Sequence, residues 1–342
     1  MIGKSGKSAL SILPIFWFSV GMGGDIVEVV HTPVLLEETL KYLAPRSSGE
    51  LHVDASVGEG GHLSAFLSQF PHLKAIGIDA DAEILKTART RLAPFGERVQ
   101  FYTGWSHDFF AEYPGQYKPP DTILIDLGVS LFHYERGGRG FSFRYDETLD
   151  MRIDVSSGIS AAELIARLSE KDLADLLYAN AQERYSRPIA KAICAAKSAG
   201  AVTSSVVLAE IIERAVPAAY RYGPIHPATK TFQALRIAVN GELSRLEDLL
   251  EAAFRVLEPG GRLGVISFHS LEDKIVKNFF REKNRDCICP PQSPICKCRG
   301  QRCVTVLTRK GVGASEEEIR RNPPSRSARF RAVEKILDEA GS

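Results

Sequence analysis

The sequence predicts an α/β fold, a doubly wound and mostly parallel sheet with a helical segment inserted into it. Three observations predict it. Short apolar runs carry an acid at their ends at Leu51–Asp54, at Lys74–Asp79 and at Thr122–Leu127, where Asp126 is the acid. A glycine loop, Gly58-Glu-Gly60-Gly61, joins the first run to Leu63, Phe66, Leu67 and Phe70, which have the spacing of a helix face. After Asp126, helical patterning lasts about a hundred residues before a strong buried strand returns at Arg262–Phe268. In open sheets of this class ligands bind at the carboxyl ends of the strands, so Asp54, Asp79 and Asp126 are expected on one rim.

Each element has its own signal. His31–Leu43 reads as an amphipathic helix with Thr32 as N-cap, Pro33 at the first helical position and Pro45 beyond its end. Glycine suits the loop after Asp54 because a residue without Cβ takes positive φ and lets a ligand approach the backbone. Asp79 follows the loop by about 20 residues, the place of a ribose-binding acid in such folds. Ala82–Leu92 is a helix with an Arg-rich outer face, and Val99–Thr103 is a strand running into Gly104-Trp105-Ser106. Trp105 there either stacks on an adenine or caps the sheet as a half-buried aromatic. Ser160-Ala-Ala-Glu163 and Ser169-Glu-Lys-Asp172 are capping boxes that open helices. Ile189–Lys197, Val206–Val216 and Thr229–Val239 continue the helical segment. Leu243–Leu257 is an amphipathic helix stopped by Pro259-Gly260-Gly261. Ser270 is expected to cap the next helix, with Asp273 at its third position, and Val304–Thr308 is a late strand.

A chain of 342 residues, 44% apolar and 25% charged, can build a real core in one large or two modest domains. Its net charge of +1 excludes a chain basic throughout but allows a local basic face. Six cysteines in this length do not make a secreted disulfide scaffold. Residues 1–24 stand apart. Lys4 and Lys7 precede an apolar run, Ala9–Val20, laid out like a signal peptide but too short and too interrupted by Pro14 to span a membrane. The remainder reads as cytosolic. Residues 1–24 are therefore expected to be a mis-annotated or disordered extension, with Met22 as the true initiator and an export or anchor signal as the alternative.

Two cofactors suit the first half, a dinucleotide and S-adenosylmethionine. The loop departs from the compact G-x-G-x-x-G of dinucleotide folds, Asp54 sits inside the preceding strand, and Glu258-Pro-Gly-Gly-Arg-Leu263 runs straight into a buried strand. That set fits S-adenosylmethionine better. The motifs His31-Thr-Pro-Val-Leu-Leu36, Asp54–His62, Asp126-Leu-Gly-Val-Ser130, Arg139-Gly-Phe-Ser-Phe143, Leu149-Asp-Met-Arg152, His226–Arg236 and Ser267–Asp273 resemble the MraW family of bacterial 16S rRNA cytosine-N4 methyltransferases, over about His31 to Arg331. The resemblance implies a class I (Rossmann-like) S-adenosylmethionine-dependent methyltransferase sheet, residues 25–130 and 238–342. A mostly helical RNA-recognition domain, residues 131–237, would be inserted into it. It also implies methylation of a decoding-centre cytidine of 16S rRNA in the small ribosomal subunit, in the cytoplasm and without a membrane partner. Carried over by motif, Gly60, Gly61 and His62 would line the cofactor site, Asp79 would take the ribose hydroxyls, Trp105 would lie beside the cofactor and Asp126 would face its adenine or methionine side. His133 stands where the family has a glutamine, because Leu131-Phe132-His133 replaces a Ser-Pro-Gln-like run. Ala55-Ser56 departs from the family's usual threonine.

A sulfonium methyl is already activated, so the protein chiefly has to hold an in-line geometry. Cytosine N4 is a weak nucleophile, and an acceptor for its proton would help. Asp126 is the candidate catalytic acceptor, with Ser130 and His269 as alternates. The target base must leave its stack to reach such a pocket, and Phe141 and Phe143 either hold it by stacking or are ordinary core. Lys and Arg exceed acids by eight to two over Arg184–Arg236 and by eleven to four over Lys297–Lys335. Both runs, Arg187 and Lys230 included, are expected to form an RNA track. Cys287-x-Cys289 and Cys296-x-Cys298 raise the question of a structural zinc, but the spacing is not the usual C-x-x-C and no metal is carried over from the family. Cys194 falls within a helix and reads as core.

Overall fold

The computed structural model describes residues 32–46, 49–113, 115–135, 137–287 and 302–336. The expected extension at 1–24 lies outside the described residues, as do Cys289, Cys296 and Cys298 of the zinc question. Among the described residues, eight strands form one sheet: β1 (Leu51–Asp54), β2 (Lys74–Asp79), β3 (Val99–Thr103), β4 (Thr122–Asp126), β5 (Arg262–Ser267), β6 (Val304–Val306), β7 (Val312–Gly313) and β8 (Arg329–Lys335). The order across the sheet is β3-β2-β1-β4-β5-β8-β6, with β7 paired to β8. The pairs from β3 through β5 are parallel and those made by β8 are antiparallel. The α/β class and the parallel-dominated sheet agree with expectation.

Central strands are buried on both faces, so they read as continuous apolar runs. Residues two apart point the same way. Ile123 and Ile125 of β4 therefore enter one buried cluster with Ile76, Leu250 and Phe254, while Leu124 enters the opposite one with Leu63, Phe66 and Phe330. A third cluster lies apart. It is built by Leu173, Leu177, Ile189, Ile193, Leu208, Ile212 and Leu235 from helices that connect β4 to β5. The last of these helices, Ala228–Asn240, runs through the expected boundary at 237/238 and ends at Gly241, whose φ of 61° turns the chain into the helix Glu242–Val256.

Three local expectations are corrected. The first helix is shorter than His31–Leu43: it spans Leu36–Tyr42, and Leu35, not Thr32, is its N-cap. Pro33 and Val34 are held outside it because the Val34 carbonyl bonds to His62 and the Leu35 N–H donates to Glu318 Oε1 at 2.7 Å. The helix Ser270–Lys283 is capped one residue earlier than expected. His269 is the N-cap, and a capping box forms with Glu272 rather than with Asp273. Asp273 instead pairs with Arg331 at 2.7 Å. Strand β8 was hidden in the basic run. Phe330, Ala332 and Val333 face the core, Arg331 holds Asp273, Glu334 meets Arg262, and the Lys335 amine donates to the carbonyls of Phe254, Arg255 and Leu257 at the end of the helix Glu242–Val256. A cation there offsets carbonyls that no further helical N–H can satisfy. Some of this run's charge is therefore used inside the fold.

Candidate active site

The carboxyl ends of β1, β2 and β4 open on a cavity of about 500 Å³ between the sheet and the inserted helices. That volume lies within the usual range for small-molecule and cofactor sites. Asp79 and Asp126 line it, with Gly58, Gly61, His62, Trp105, Ser130 and His133 on the sheet side. Phe141, Phe143, Phe232 and Arg236 line the side of the inserted segment, and His269 and Glu272 close the end beyond β5. Asp54 lies beneath this floor, almost wholly buried, where it accepts from the Ser56 N–H.

The glycine loop does what its residues suggest. Gly58 and Gly60 take φ of 51° and 81°. A Cβ on Gly60 would stand 2.9 Å from Leu92, and one on Gly61 2.5 Å from the Pro33 ring. Gly60 shapes the turn without lining the cavity; Gly61 and His62 line it. His62 Nε2 reaches the Val34 carbonyl at 2.9 Å. A carbonyl only accepts, so Nε2 carries the proton, and Nδ1 faces Asp126 Oδ2 at 3.9 Å.

Asp79 accepts from the Gly58 and Asp81 N–H groups, one on each oxygen, at 3.0 and 2.9 Å. A carboxylate has about four lone-pair sites, so both oxygens keep capacity for ribose hydroxyls. Burial pushes its pKa up. Asp126 is pushed up to about 7, by burial first and then by the charge of Glu272, against a 3.3 Å bond from the Gly128 N–H. Asp54 is pushed up to about 8 by burial and by its neighbours Asp126 and Asp79.

Trp105 is half-buried at the cavity wall, and the Arg245 guanidinium lies 4.5 Å from its ring centroid. One aromatic face is thus engaged by a cation. His133 is 3% exposed and its Nε2 sits 2.9 Å from Asp81 Oδ2. Arg139 donates to the same oxygen, and its other nitrogen donates to the Arg152 and Ile153 carbonyls. Burial alone would raise the Asp81 pKa, but the bonds from His133 and Arg139 hold it well below the usual carboxylate range. Ser130, an alternate acceptor, lines the cavity, and its hydroxyl accepts from the Phe132 N–H at 3.2 Å. Phe141 is buried and Phe143 half-buried, and both line the cavity.

The sequence reading missed Asp81, Glu242 and Glu272. Donor atoms of Glu242, His269 and Glu272 lie within 4.8 Å of one another. The trio has the donor types of a metal site, but the Arg236 guanidinium holds both Glu242 oxygens at 2.9 and 2.8 Å. Glu272 accepts from the Phe268 and His269 N–H groups. The available signal for Asp81 was local: an Asp before Ala82–Leu92 is an N-cap, and its side chain does accept from the Glu83 N–H.

Residues 28–336 match the MraW methylase family. A Treponema denticola protein named ribosomal RNA small subunit methyltransferase H is 57% identical over 310 residues, 91% of this chain and 98% of that protein. Proteins of the same name from Syntrophotalea carbinolica and Treponema pallidum are 45% and 42% identical over 90% and 89% of this chain and 98% and 92% of theirs. With the glycine loop, the acidic rim and the inserted helices all inside the matched span, this chain belongs to the MraW methylase family.

Proposed function

We propose that the protein methylates the N4 amine of a decoding-centre cytidine in 16S rRNA of the small ribosomal subunit, with Asp126 receiving the proton that N4 loses. At the coarser level the chain is an S-adenosylmethionine-dependent rRNA methyltransferase. The observation that carries the finer reading is a cavity walled by the acidic strand rim on one side and by Phe141, Phe143 and Arg236 on the other. A cofactor and a flipped base need such opposed walls.

The residues fit the cofactor. Gly58 and Gly61 line the cavity at the loop, Asp79 has lone pairs for ribose hydroxyls, and Trp105 offers an aromatic surface. When bound, S-adenosylmethionine supplies an electrophilic methyl group. The chain then has to align the amine and take up its proton. Asp126, pushed up to about 7, is matched to that task near neutral pH. Phe141 and Phe143 would hold the ring of a base turned out of its stack. The helices between β4 and β5, with their own buried cluster, are the RNA-recognition unit of this reading. No described helix is long and apolar enough to cross a membrane.

The test is transfer of labelled methyl from S-adenosylmethionine to small subunits that lack the modification, followed by nucleoside mass spectrometry. The expected product is N4-methylcytidine at one site. Label on another base, or on C5 or O2′, would contradict the reading.

A further inference from the structure

A second hollow opens where the inserted helices meet the sheet. It holds about 140 Å³ and is walled by Ala181, Gln182, Lys230 and Gln233 on one side and by His269, Ser270 and Leu271 on the other. Gln233 and His269 also line the main cavity, so the two hollows adjoin. We propose that this seam, with the adjoining ends of the inserted helices, is a track for the unpaired RNA strand flanking the target cytidine. The proposal rests on the function argued above and adds to it the form of the substrate: single-stranded on at least one side of the methylated base.

Charge and aromatic surface both lead outward from the seam. The Lys230 amine reaches the Gln182 carbonyl at 3.3 Å, at the mouth of the hollow. Two residues on, Arg184 is exposed, with its guanidinium 4.7 Å from the Tyr185 ring and 5.0 Å from the Tyr220 ring. The neighbouring acid, Glu183, is fully buried and accepts from the Tyr220 hydroxyl at 2.7 Å and the Tyr185 N–H at 2.8 Å. The surface here therefore presents the cation and not the carboxylate. A guanidinium laid on tyrosines makes with them a cationic aromatic surface of the kind on which bases stack. Tyr222, two residues past Tyr220, is 82% exposed. A second aromatic row reaches the same region: Phe143 on the cavity wall stacks on the exposed His226, centroids 4.5 Å apart and planes 29° apart.

Exposed rings beside cations are how sequence-tolerant sites grip single strands, by stacking and phosphate attraction together. Helical RNA would present neither its base faces nor a displaced target. The basic run Arg184–Arg236 is selective in the same sense. Arg236 pairs with Glu242, Arg214 with Glu210, and Lys197 donates to carbonyls at the end of the helix Ala161–Arg167. Arg184, Arg187 and Lys191 remain exposed.

The test uses the full-length protein and unmodified small subunits. Tyr222→Ala and Arg184→Ala are each expected to raise KM for subunits about tenfold, with kcat and S-adenosylmethionine affinity unchanged. Tyr222→Phe, which keeps the ring, is expected to restore the wild-type KM. Ultraviolet crosslinking is expected to join the peptides around Tyr222 and Lys230 to rRNA nucleotides next to the methylated one. Unchanged KM in both alanine variants overturns the track, as does a Phe variant as weak as the Ala one. Crosslinks to a ribosomal protein instead of RNA overturn it too, and make this face a protein contact. Failure of the parent function is distinguishable, because it would show in the wild-type product alone.

Discussion

In the proposed reaction, Asp126 is the residue on which the chemistry turns. It lies at the end of β4, faces the cavity and titrates near 7 because burial and Glu272 disfavour its charge. As an acceptor it must be ionised, so kcat is expected to rise with pH through about 7. Asp126→Asn is expected to lower kcat roughly 10²-fold or more, to abolish that limb of the pH profile and to leave S-adenosylmethionine affinity within about threefold. Single-turnover transfer at several pH values checks all three; a variant with wild-type kcat makes Asp126 a cofactor-orienting group only. The same carboxyl affects stability. Asp54 and Asp126 bind protons more tightly folded than unfolded, so their effect favours the folded state in acid and is lost as pH rises from about 4 through 7 to 8. Asp126→Asn is therefore expected to gain melting temperature relative to the ligand-free wild type at pH 8 and much less at pH 5. An equal gain at both pH values contradicts the assigned shift. At this scale Asp79 and Asp126 were legible in the sequence, because strand-end acids announce themselves. Asp81 was not: its importance comes from His133 and Arg139, 52 and 58 residues away, and only the fold brings these together.

Among the elements, the loop and the segment crossing it form one unit. Pro33 packs on Gly61, and the Val34 carbonyl orients His62. Gly61→Ala would place a Cβ 2.5 Å from the Pro33 ring, so the segment must move and His62 loses its anchor. S-adenosylmethionine affinity is expected to fall about tenfold, near 1.4 kcal/mol, by calorimetry; unchanged affinity means that the crossing segment is not part of the site. The short first helix shows why its start was misread. Thr32 and Pro33 have the chemistry of a helix start, but a distant carboxylate, Glu318, supplies the cap at Leu35 instead. Strand β8 was missed for a related reason. Arg-Phe-Arg-Ala-Val-Glu-Lys interleaves buried apolar residues with charged ones, and its charges suggest a solvated run until Arg331, Glu334 and Lys335 are seen with their partners.

For the whole molecule, the issue is how the inserted helices are fixed against the sheet. Asp81 joins His133 and Arg139 to the β2 rim, and Arg139 continues to the Arg152 and Ile153 carbonyls. Asn240 completes the connection, accepting from the Ile153 N–H and donating to the Met151 carbonyl, each at 2.8 Å. Removing one member of a buried charged cluster leaves the others uncompensated, so Asp81→Asn is expected to cost about 3 kcal/mol in urea unfolding. A loss below about 0.5 kcal/mol would mean that the cluster does not join the two parts. The parallel sheet and the long helical insertion were legible from periodicity, which depends on local spacing. The seam between them was not, because it is made by single polar contacts across large sequence distances. We propose that one cavity at the strand rim holds S-adenosylmethionine with its methyl group turned toward the inserted helices. A crystal structure of the protein soaked with S-adenosylmethionine tests this most directly. The account predicts ribose hydroxyls on Asp79, the adenosine beside Trp105 and the methyl carbon nearest Asp126 and Phe141; a ligand lodged elsewhere, or with its methyl group turned away from the inserted helices, would contradict it.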